Sequence, residues 1–285
     1  MRGVILCAGY GSRFFPITKT IPKEMLPLYN LPSIHFAIQE FMDAGIKEIV
    51  IVTSRRKKSL DDYFDIEFEL ETFFKDTDKS RLLKPYDVKI AFVRQKQMKG
   101  VGDALLEAGN FIGENEFILL YPDDIVISNP SLSKRLVEVY RKTGKNVLSL
   151  LDKTGEDVSR FGVARITKRN GEIFEVGGIV EKPNKGSEPS SYITIGRYLF
   201  TPEVLHLLKK EWHMFGREGE FYHISSINRL CADGKVVGIE VNKSEFFDTG
   251  TPNEYVKSFI RYALEFSEDR LEIRNWLKEY IEKLS

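Results

Sequence analysis

Cysteine is nearly absent from this 285-residue chain: Cys7 and Cys231 are the only two. They stand far apart without metal-type spacing, which argues against a disulfide scaffold or a zinc site and fits a reducing cytoplasm. An excess of one charge is missing too. Forty-two Lys and Arg are matched by 42 Asp and Glu. A broad nucleic-acid surface, which needs a basic excess, is therefore not expected, although one local basic pocket remains open. No apolar run approaches the length of a membrane span. Met1-Arg2-Gly3 leads directly into an apolar run, leaving no space for a signal peptide. The expectation is a soluble, cytoplasmic protein with neither nucleic-acid nor membrane partners. Repeats, linkers and low-complexity stretches are not seen. The four histidines, His35, His206, His213 and His223, lack metal-ligand spacing and read as surface or core residues.

What is present is a core-forming composition, 42% hydrophobic, arranged in alternating patterns. Buried-strand patterns fall at residues 4–7, 48–53, 88–94, 117–121 and 147–151. Helical patterns lie between them at 33–44, 57–64, 68–76, 102–109 and 131–142. Such alternation predicts an α/β fold with a mostly parallel sheet. Ser33 after Pro32 reads as an N-cap, and Gly45 as the stop. The rhythm then changes. Strand patterns at 161–167 and 173–180 flank Asn170-Gly171, a hairpin turn signal, and another strand pattern covers 192–200. Helices follow at 201–212 and 221–232, extended segments at 235–241 and 245–247, and helices at 252–266 and 267–284. In the last helix Ile273, Trp276, Leu277, Tyr280, Ile281 and Leu284 form one apolar stripe. Such a stripe usually packs on its own domain and less often forms a subunit interface. Arg55-Arg56-Lys57-Lys58 reads as a solvated charge cluster.

The stretch from Cys7 to Leu28 carries the chemistry. It follows the first strand, has no apolar periodicity, and contains Gly9, Gly11, Pro16, Pro22, Pro27, Arg13, Lys19 and Lys23. Small residues let backbone N–H groups approach an anion, Arg forks around phosphate oxygens, and prolines restrict the loop. This is the composition of a polyphosphate grip, and equally that of an ordinary surface loop rich in Gly, Pro and Lys. Gly9-Tyr10-Gly11-Ser12-Arg13-Phe14 lacks the third glycine of a dinucleotide fingerprint, and the helix begins too late, at Ser33. Only Arg55 and Arg56, placed like NADP readers, speak for that reading. No Walker A loop or kinase signature is present. Asp123-Asp124 follows the strand pattern 117–121, where parallel sheets bind ligands. Together with Asp248 it offers the carboxylates that a hard cation prefers.

Ala8-Gly9-Tyr10-Gly11-Ser12-Arg13, with Pro16, Thr18 and Lys23-Glu24-Met25-Leu26-Pro27, resembles the signature of the sugar-1-phosphate nucleotidylyltransferases. Lys19-Thr20-Ile21-Pro22 before Lys23 is most similar to the bacterial and archaeal UTP–glucose-1-phosphate uridylyltransferase branch. The resemblance continues through residues 94–100, Pro122-Asp123-Asp124, Val180-Glu181-Lys182-Pro183, Ile195-Gly196-Arg197-Tyr198 and Asp248-Thr249-Gly250. It implies a Rossmann-like, mostly parallel mixed sheet flanked by helices, of the nucleotide-diphospho-sugar transferase type, with a smaller sugar-binding β/α part. Within one domain over 1–285, it implies a nucleotide-binding half over 1–151, a sugar-binding half over 152–251 and C-terminal helices over 252–285.

The resemblance also implies roles. Arg13, Lys23 and Lys182 would be catalytic, Lys182 contacting the sugar phosphate. Ala8, Gly9, Gly11 and Glu24 would bind the nucleotide, and Gln95 and Gly100 would read the pyrimidine. Gly162, Glu181 and Gly196 would bind the sugar, with Glu181 accepting from hydroxyls. Asp123 and Asp248 would hold Mg²⁺, with Asp124 beside them. The implied reaction takes UTP and glucose 1-phosphate to UDP-glucose and pyrophosphate in a homodimer or homotetramer. The sugar phosphate is already an anion, so no general base is needed; the task is to neutralise repulsion and hold an in-line geometry.

Four departures bear on substrate choice. Asp103 stands where that branch usually has His. Asp248-Thr249-Gly250 resembles the thymidylyltransferases rather than the usual Asp-Cys-Gly. Phe161 replaces a usual Tyr, and residues 220–226 differ from the usual Glu-Ile-Gln-Leu-Thr-Asp run. They leave dTTP or another sugar 1-phosphate open, and a non-catalytic sugar-nucleotide-binding protein on the same fold stands as the reading of another class.

Overall fold

β1 (Arg2–Leu6) is the strand from which the glycine-rich loop departs. Its Val4 and Ile5 are both fully buried, and because successive strand side chains point to opposite faces, each enters a different core. Val4 packs with Val50, Val52, Leu119, Leu148 and Leu150 on one face. Ile5 packs with Ile49, Ile51, Ile118 and Leu120 on the other. Burial on both sides explains why these strands read as continuous apolar runs. The structure, a computed structural model, describes residues 1–216 and 218–284.

After β1 come a short hairpin of β2 (Pro27–Leu28) and β3 (Leu31–Pro32), then α1 (Ser33–Asp43), β4 (Glu48–Thr53), α2 (Lys58–Phe64), α3 (Phe68–Phe74) and β5 (Lys89–Arg94). Next are α4 (Val101–Glu107), α5 (Gly109–Ile112), β6 (Phe117–Leu120), β7 (Asp124–Val126), α6 (Leu132–Thr143) and β8 (Asn146–Asp152). The second half contributes β9 (Gly162–Asn170), β10 (Ile173–Glu181), β11 (Tyr192–Phe200), α7 (Glu203–Met214), α8 (Ile224–Ala232), β12 (Val236–Val241), β13 (Phe246–Asp248), α9 (Pro252–Glu265) and α10 (Arg270–Leu284).

Among the described residues, nine strands form one sheet in the order β5-β4-β1-β6-β11-β8-β12-β10-β9. The run β5-β4-β1-β6 is parallel throughout. β11 enters antiparallel between β6 and β8, so the sheet is mixed and its two sequence halves interleave. α4, α7 and α8 cover one face through Leu105, Leu205, Leu208 and Ile227. α1 and α6 cover the other through Ile34, Ile38, Phe41, Leu132 and Leu136. This is the expected α/β architecture, a central mixed sheet flanked by helices.

Four local expectations need correction. Ser33 is not a cap: it is the first residue of α1, and its hydroxyl and amide both donate to the Leu26 carbonyl at 3.1 Å. The helix expected over 221–232 starts only at Ile224. Lys57 is not solvated; only 6% exposed, it is buried against Glu24. Only part of the C-terminal stripe packs on its own domain: Ile273 and Leu277 on α10 are half-buried, whereas Trp276, Tyr280, Ile281 and Leu284 remain exposed. No helix among the described residues is long and apolar enough to cross a membrane.

Candidate active site

The carboxyl ends of β1, β4, β5 and β6 converge on one edge of the sheet, the position at which parallel α/β sheets bind ligands. The loop leaving β1 is not irregular. It winds through three tight helical turns at Ser12–Phe14, Ile17–Lys19 and Lys23–Met25. Gly11 sits at φ 66, in the left-handed region that glycine tolerates, and its carbonyl accepts from Thr18 Oγ1 at 2.8 Å. Arg56 donates to the Lys19 carbonyl at 3.2 Å. Lys57 Nζ reaches both Glu24 carboxylate oxygens, at 2.8 and 2.7 Å. Glu24 is 1% exposed. Its carboxylate is thereby committed to holding the loop against the start of α2.

Opposite this loop, β7 and β13 pair antiparallel, with Asp124 opposite Asp248. The Thr249 amide and hydroxyl both donate to the Asp123 carbonyl, at 2.8 and 2.9 Å. A Cβ placed on Gly250 would lie 3.1 Å from Asp248 Oδ1 and 3.4 Å from Asp123 Oδ2, so the two carboxylates crowd one point. Lys23 reaches from the loop to Asp123 in an ion pair, and Arg13 donates to the Gly250 carbonyl at 3.4 Å. Burial works against the Asp123 charge, yet the Lys23 ammonium holds its carboxyl below the usual range. Burial, followed by repulsion from Asp123 and Asp248, pushes Asp124 up to about 7. Burial, with Asp123 adding to it, also raises Asp248. Clustered carboxylates that resist ionising together favour a cation between them.

Among the described residues no group of three or more His, Cys, Asp and Glu is arranged to hold a metal by itself. Asp123 and Asp248 fit instead the habit of Mg²⁺, which takes one or two carboxylates and completes its shell with phosphate oxygens and water.

Two cavities flank this point. One of about 450 Å³ is lined by Ala8, Gly9, Lys23, Gln95, Gly100 and Asp123. The other, about 240 Å³, is lined by Gly162, Glu181, Gly196, Asp124 and Asp248. Tyr121 and Tyr222 line both. Gly196 must be glycine because a Cβ there would come within 2.5 Å of Tyr121, and its amide donates to Asp124 Oδ2 at 2.7 Å. Glu181 is raised by burial, offset by Lys182. Lys182 stands at the rim, its ammonium 3.8 Å from Glu181 Oε1 and 5.8 Å from the Tyr222 ring centroid. Its backbone is left-handed, at φ 47, a conformation that costs a non-glycine residue about 1–3 kcal/mol and clusters at functional sites. A larger groove of about 990 Å³ lies away from this edge. Three of its cations are paired with acids, Arg135–Glu245, Arg169–Glu240 and Lys243–Glu156, and Lys142 also lines it.

A profile of the family described as nucleotidyl transferase matches residues 2–264. The chain belongs to the nucleotidyl transferase family. This nucleotidyl transferase is 35% identical to UTP–glucose-1-phosphate uridylyltransferase 2 of Staphylococcus saprophyticus, over 99% of this chain and 97% of that one. A UDP-glucose pyrophosphorylase solved with UDP-glucose superposes with a TM-score of 0.81 at 33% identity, covering 92% of this chain and 97% of the other. The UTP-bound enzyme of Acinetobacter baumannii superposes with a TM-score of 0.87 at 29% identity, covering 98% of each chain.

Of the residues read from the sequence, Ala8, Gly9, Lys23, Glu24, Gln95, Gly100 and Asp123 line the first cavity and Gly162, Glu181, Gly196 and Asp248 the second; Gly11, Arg13 and Lys182 line neither, Arg13 meeting the Gly250 carbonyl and Lys182 standing by Glu181. The sequence reading missed Lys57, Tyr121, Tyr222 and Glu40. Glu40 and Arg197 form a buried pair at 2.9 Å, and Arg197 also donates to the Tyr121 carbonyl at 2.8 Å. Two buried opposite charges in distant segments were the available signal, but nothing local links position 40 to position 197.

Proposed function

We propose that this chain transfers a uridylyl group from UTP to glucose 1-phosphate, releasing pyrophosphate and forming UDP-glucose. The observation that carries the proposal is the meeting of the two cavities at Tyr121, with Lys23 and the Asp123–Asp248 carboxylates at the junction. The larger cavity takes the nucleotide: the backbone of Ala8, Gly9 and Gly11 faces its phosphates, Glu24 holds that backbone through Lys57, and Gln95 and Gly100 meet the base. The smaller takes the sugar, with Glu181 accepting from hydroxyls and the Gly162 and Gly196 backbone forming the wall. Lys182, on the rim, meets the sugar's phosphate. The 1–151 segment thus serves the nucleotide and the 152–251 segment the sugar, with both halves sharing one sheet.

An oxygen of the sugar phosphate forms the new bond to the α-phosphorus, and the bridging oxygen to the β-phosphorus leaves with pyrophosphate. No proton needs to move. Arg13, Lys23 and Lys182 offset the repulsion between the anions and fix the line of attack. Asp123 and Asp248 would hold Mg²⁺, which when bound supplies further positive charge to the phosphates. Losing one such contact costs about 10²–10³ in rate. Convergence of these cations and carboxylates on one junction favours an enzyme over a passive sugar-nucleotide binder. Thr249 beside Asp248 keeps dTTP as the second nucleotide to test.

The test is pyrophosphate release from UTP, dTTP and other NTPs, crossed with glucose, galactose and N-acetylglucosamine 1-phosphates, with and without Mg²⁺. UTP with glucose 1-phosphate is expected to be fastest and to stop when Mg²⁺ is chelated. Full turnover in chelator contradicts the metal assignment, and silence with every pair favours the binder.

A further inference from the structure

Gln95 follows the end of β5 and lines the nucleotide cavity. Its side-chain nitrogen is engaged twice, donating to the Gly100 carbonyl at 3.0 Å and to Asp103 Oδ2 at 2.7 Å. A carbonyl and a carboxylate only accept, so the amide nitrogen must face them and the flip is fixed by chemistry. The oxygen is what remains for a ligand. The surroundings are rigid: the Gln95 backbone N–H donates to the Thr53 carbonyl at 2.9 Å, and Asp103 is buried in the first turn of α4. That turn is clamped to the following wall by Gly102 N–H to the Phe221 carbonyl at 2.8 Å and Phe221 N–H to the Lys99 carbonyl at 2.5 Å.

The free edge of uracil carries one donor, N3–H, between two acceptors, O2 and O4. A glutamine that presents only an acceptor can meet that edge at N3–H alone. Thymine is the same at N3. Cytosine carries a lone pair there, so its N3 would face the Gln95 oxygen acceptor to acceptor.

We propose that Asp103 is a positioning residue for base selection: by holding the Gln95 amide nitrogen, it makes the cavity accept uracil and thymine nucleotides and refuse cytosine. The inference rests on the assignment of the base to Gln95 made above. Without Asp103 only the Gly100 carbonyl, at 3.0 Å, still holds the amide nitrogen; with the shorter, charge-assisted bond gone, the amide can turn and its NH₂ can donate to cytosine N3.

The test compares kcat/KM for UTP and CTP, with glucose 1-phosphate, in wild type, Asp103→Leu, Asp103→Asn and Gln95→Leu. Asp103→Leu is expected to raise the CTP:UTP ratio about tenfold, through a higher KM for UTP and a gain of CTP turnover, with kcat for UTP within about twofold. Asp103→Asn keeps an acceptor oxygen and is expected to keep the wild-type ratio. If Asp103→Leu does not fold, Asp103→Ala reads the same ratio. An unchanged ratio in the apolar variant, or the same change in Asp103→Asn, overturns the proposal. A wild-type KM for UTP in Gln95→Leu instead removes the base assignment on which it rests.

Discussion

His223 shows how one residue can couple stability to acidity without joining the chemistry. It is 4% exposed, both ring nitrogens are buried without a hydrogen-bond partner among the described residues, and the ring meets Tyr198 and Phe200 edge-on. Burial pushes its pKa down to about 4. The unfolded chain binds the proton near pH 6.5, so between those values unfolding takes up protons and stability falls as pH falls. The loss is about 2 kcal/mol at pH 5 relative to pH 7 and about 3 kcal/mol when complete. Urea unfolding at pH 7 and pH 5 is expected to reveal this, and His223→Leu to flatten the difference by a similar amount. Equal pH slopes in the two proteins would contradict it. The sequence offered only a histidine beside apolar neighbours; its isolation comes from the start of α8 setting the ring against Tyr198 and Phe200 of β11, which no local pattern announces.

At the scale of elements, two buried ion pairs set the geometry of the edge. Glu24–Lys57 ties the loop to α2. Glu40–Arg197 ties α1 to β11, and Glu40 Oε1 also accepts from the Ser133 amide and hydroxyl at 3.1 and 2.6 Å on α6. Arg197 is 1% exposed, so removing it strands a buried carboxylate, at a cost of about 3–5 kcal/mol. Arg197→Met is therefore expected to lose about that much in chemical denaturation, and Arg197→Met with Glu40→Leu to recover most of it. A single variant as stable as wild type would show that the pair does not hold these elements. The loop's glycines, Arg13 and Lys23 were legible because they lie within one short stretch. The pairs were not, because each joins a residue to a partner far along the chain. β7 was not read as a strand for the same reason: its three residues become one only by pairing with β13.

At the scale of the molecule, the alternation of strands and helices was enough to give the class and to expect parallel pairing, which the run β5-β4-β1-β6 has. It could not give the entry of β11 between β6 and β8, which depends on crossovers rather than composition. Two features remain exposed. Trp276 and Tyr280 stack on α10 with ring centroids 5.4 Å apart, and Trp276 is 58% and Leu284 71% exposed. The homodimer or homotetramer that the family resemblance implies would cover this face. Sedimentation should find an oligomer in the wild type and a smaller species in Trp276→Glu; a wild-type monomer would remove that role from α10. The second feature is the shared edge itself, where late segments carrying Glu181, Lys182 and Asp248 close on an early loop carrying Arg13 and Lys23.

The central claim is that this convergence performs uridylyl transfer, and Asp123 stands at its centre, paired with Lys23 and beside Asp248. The direct measurement is pyrophosphate release from UTP and glucose 1-phosphate by Asp123→Asn, with circular dichroism run alongside. The account predicts a rate down by about 10²–10³ in a protein that remains folded. A folded Asp123→Asn protein with a near wild-type rate would contradict it.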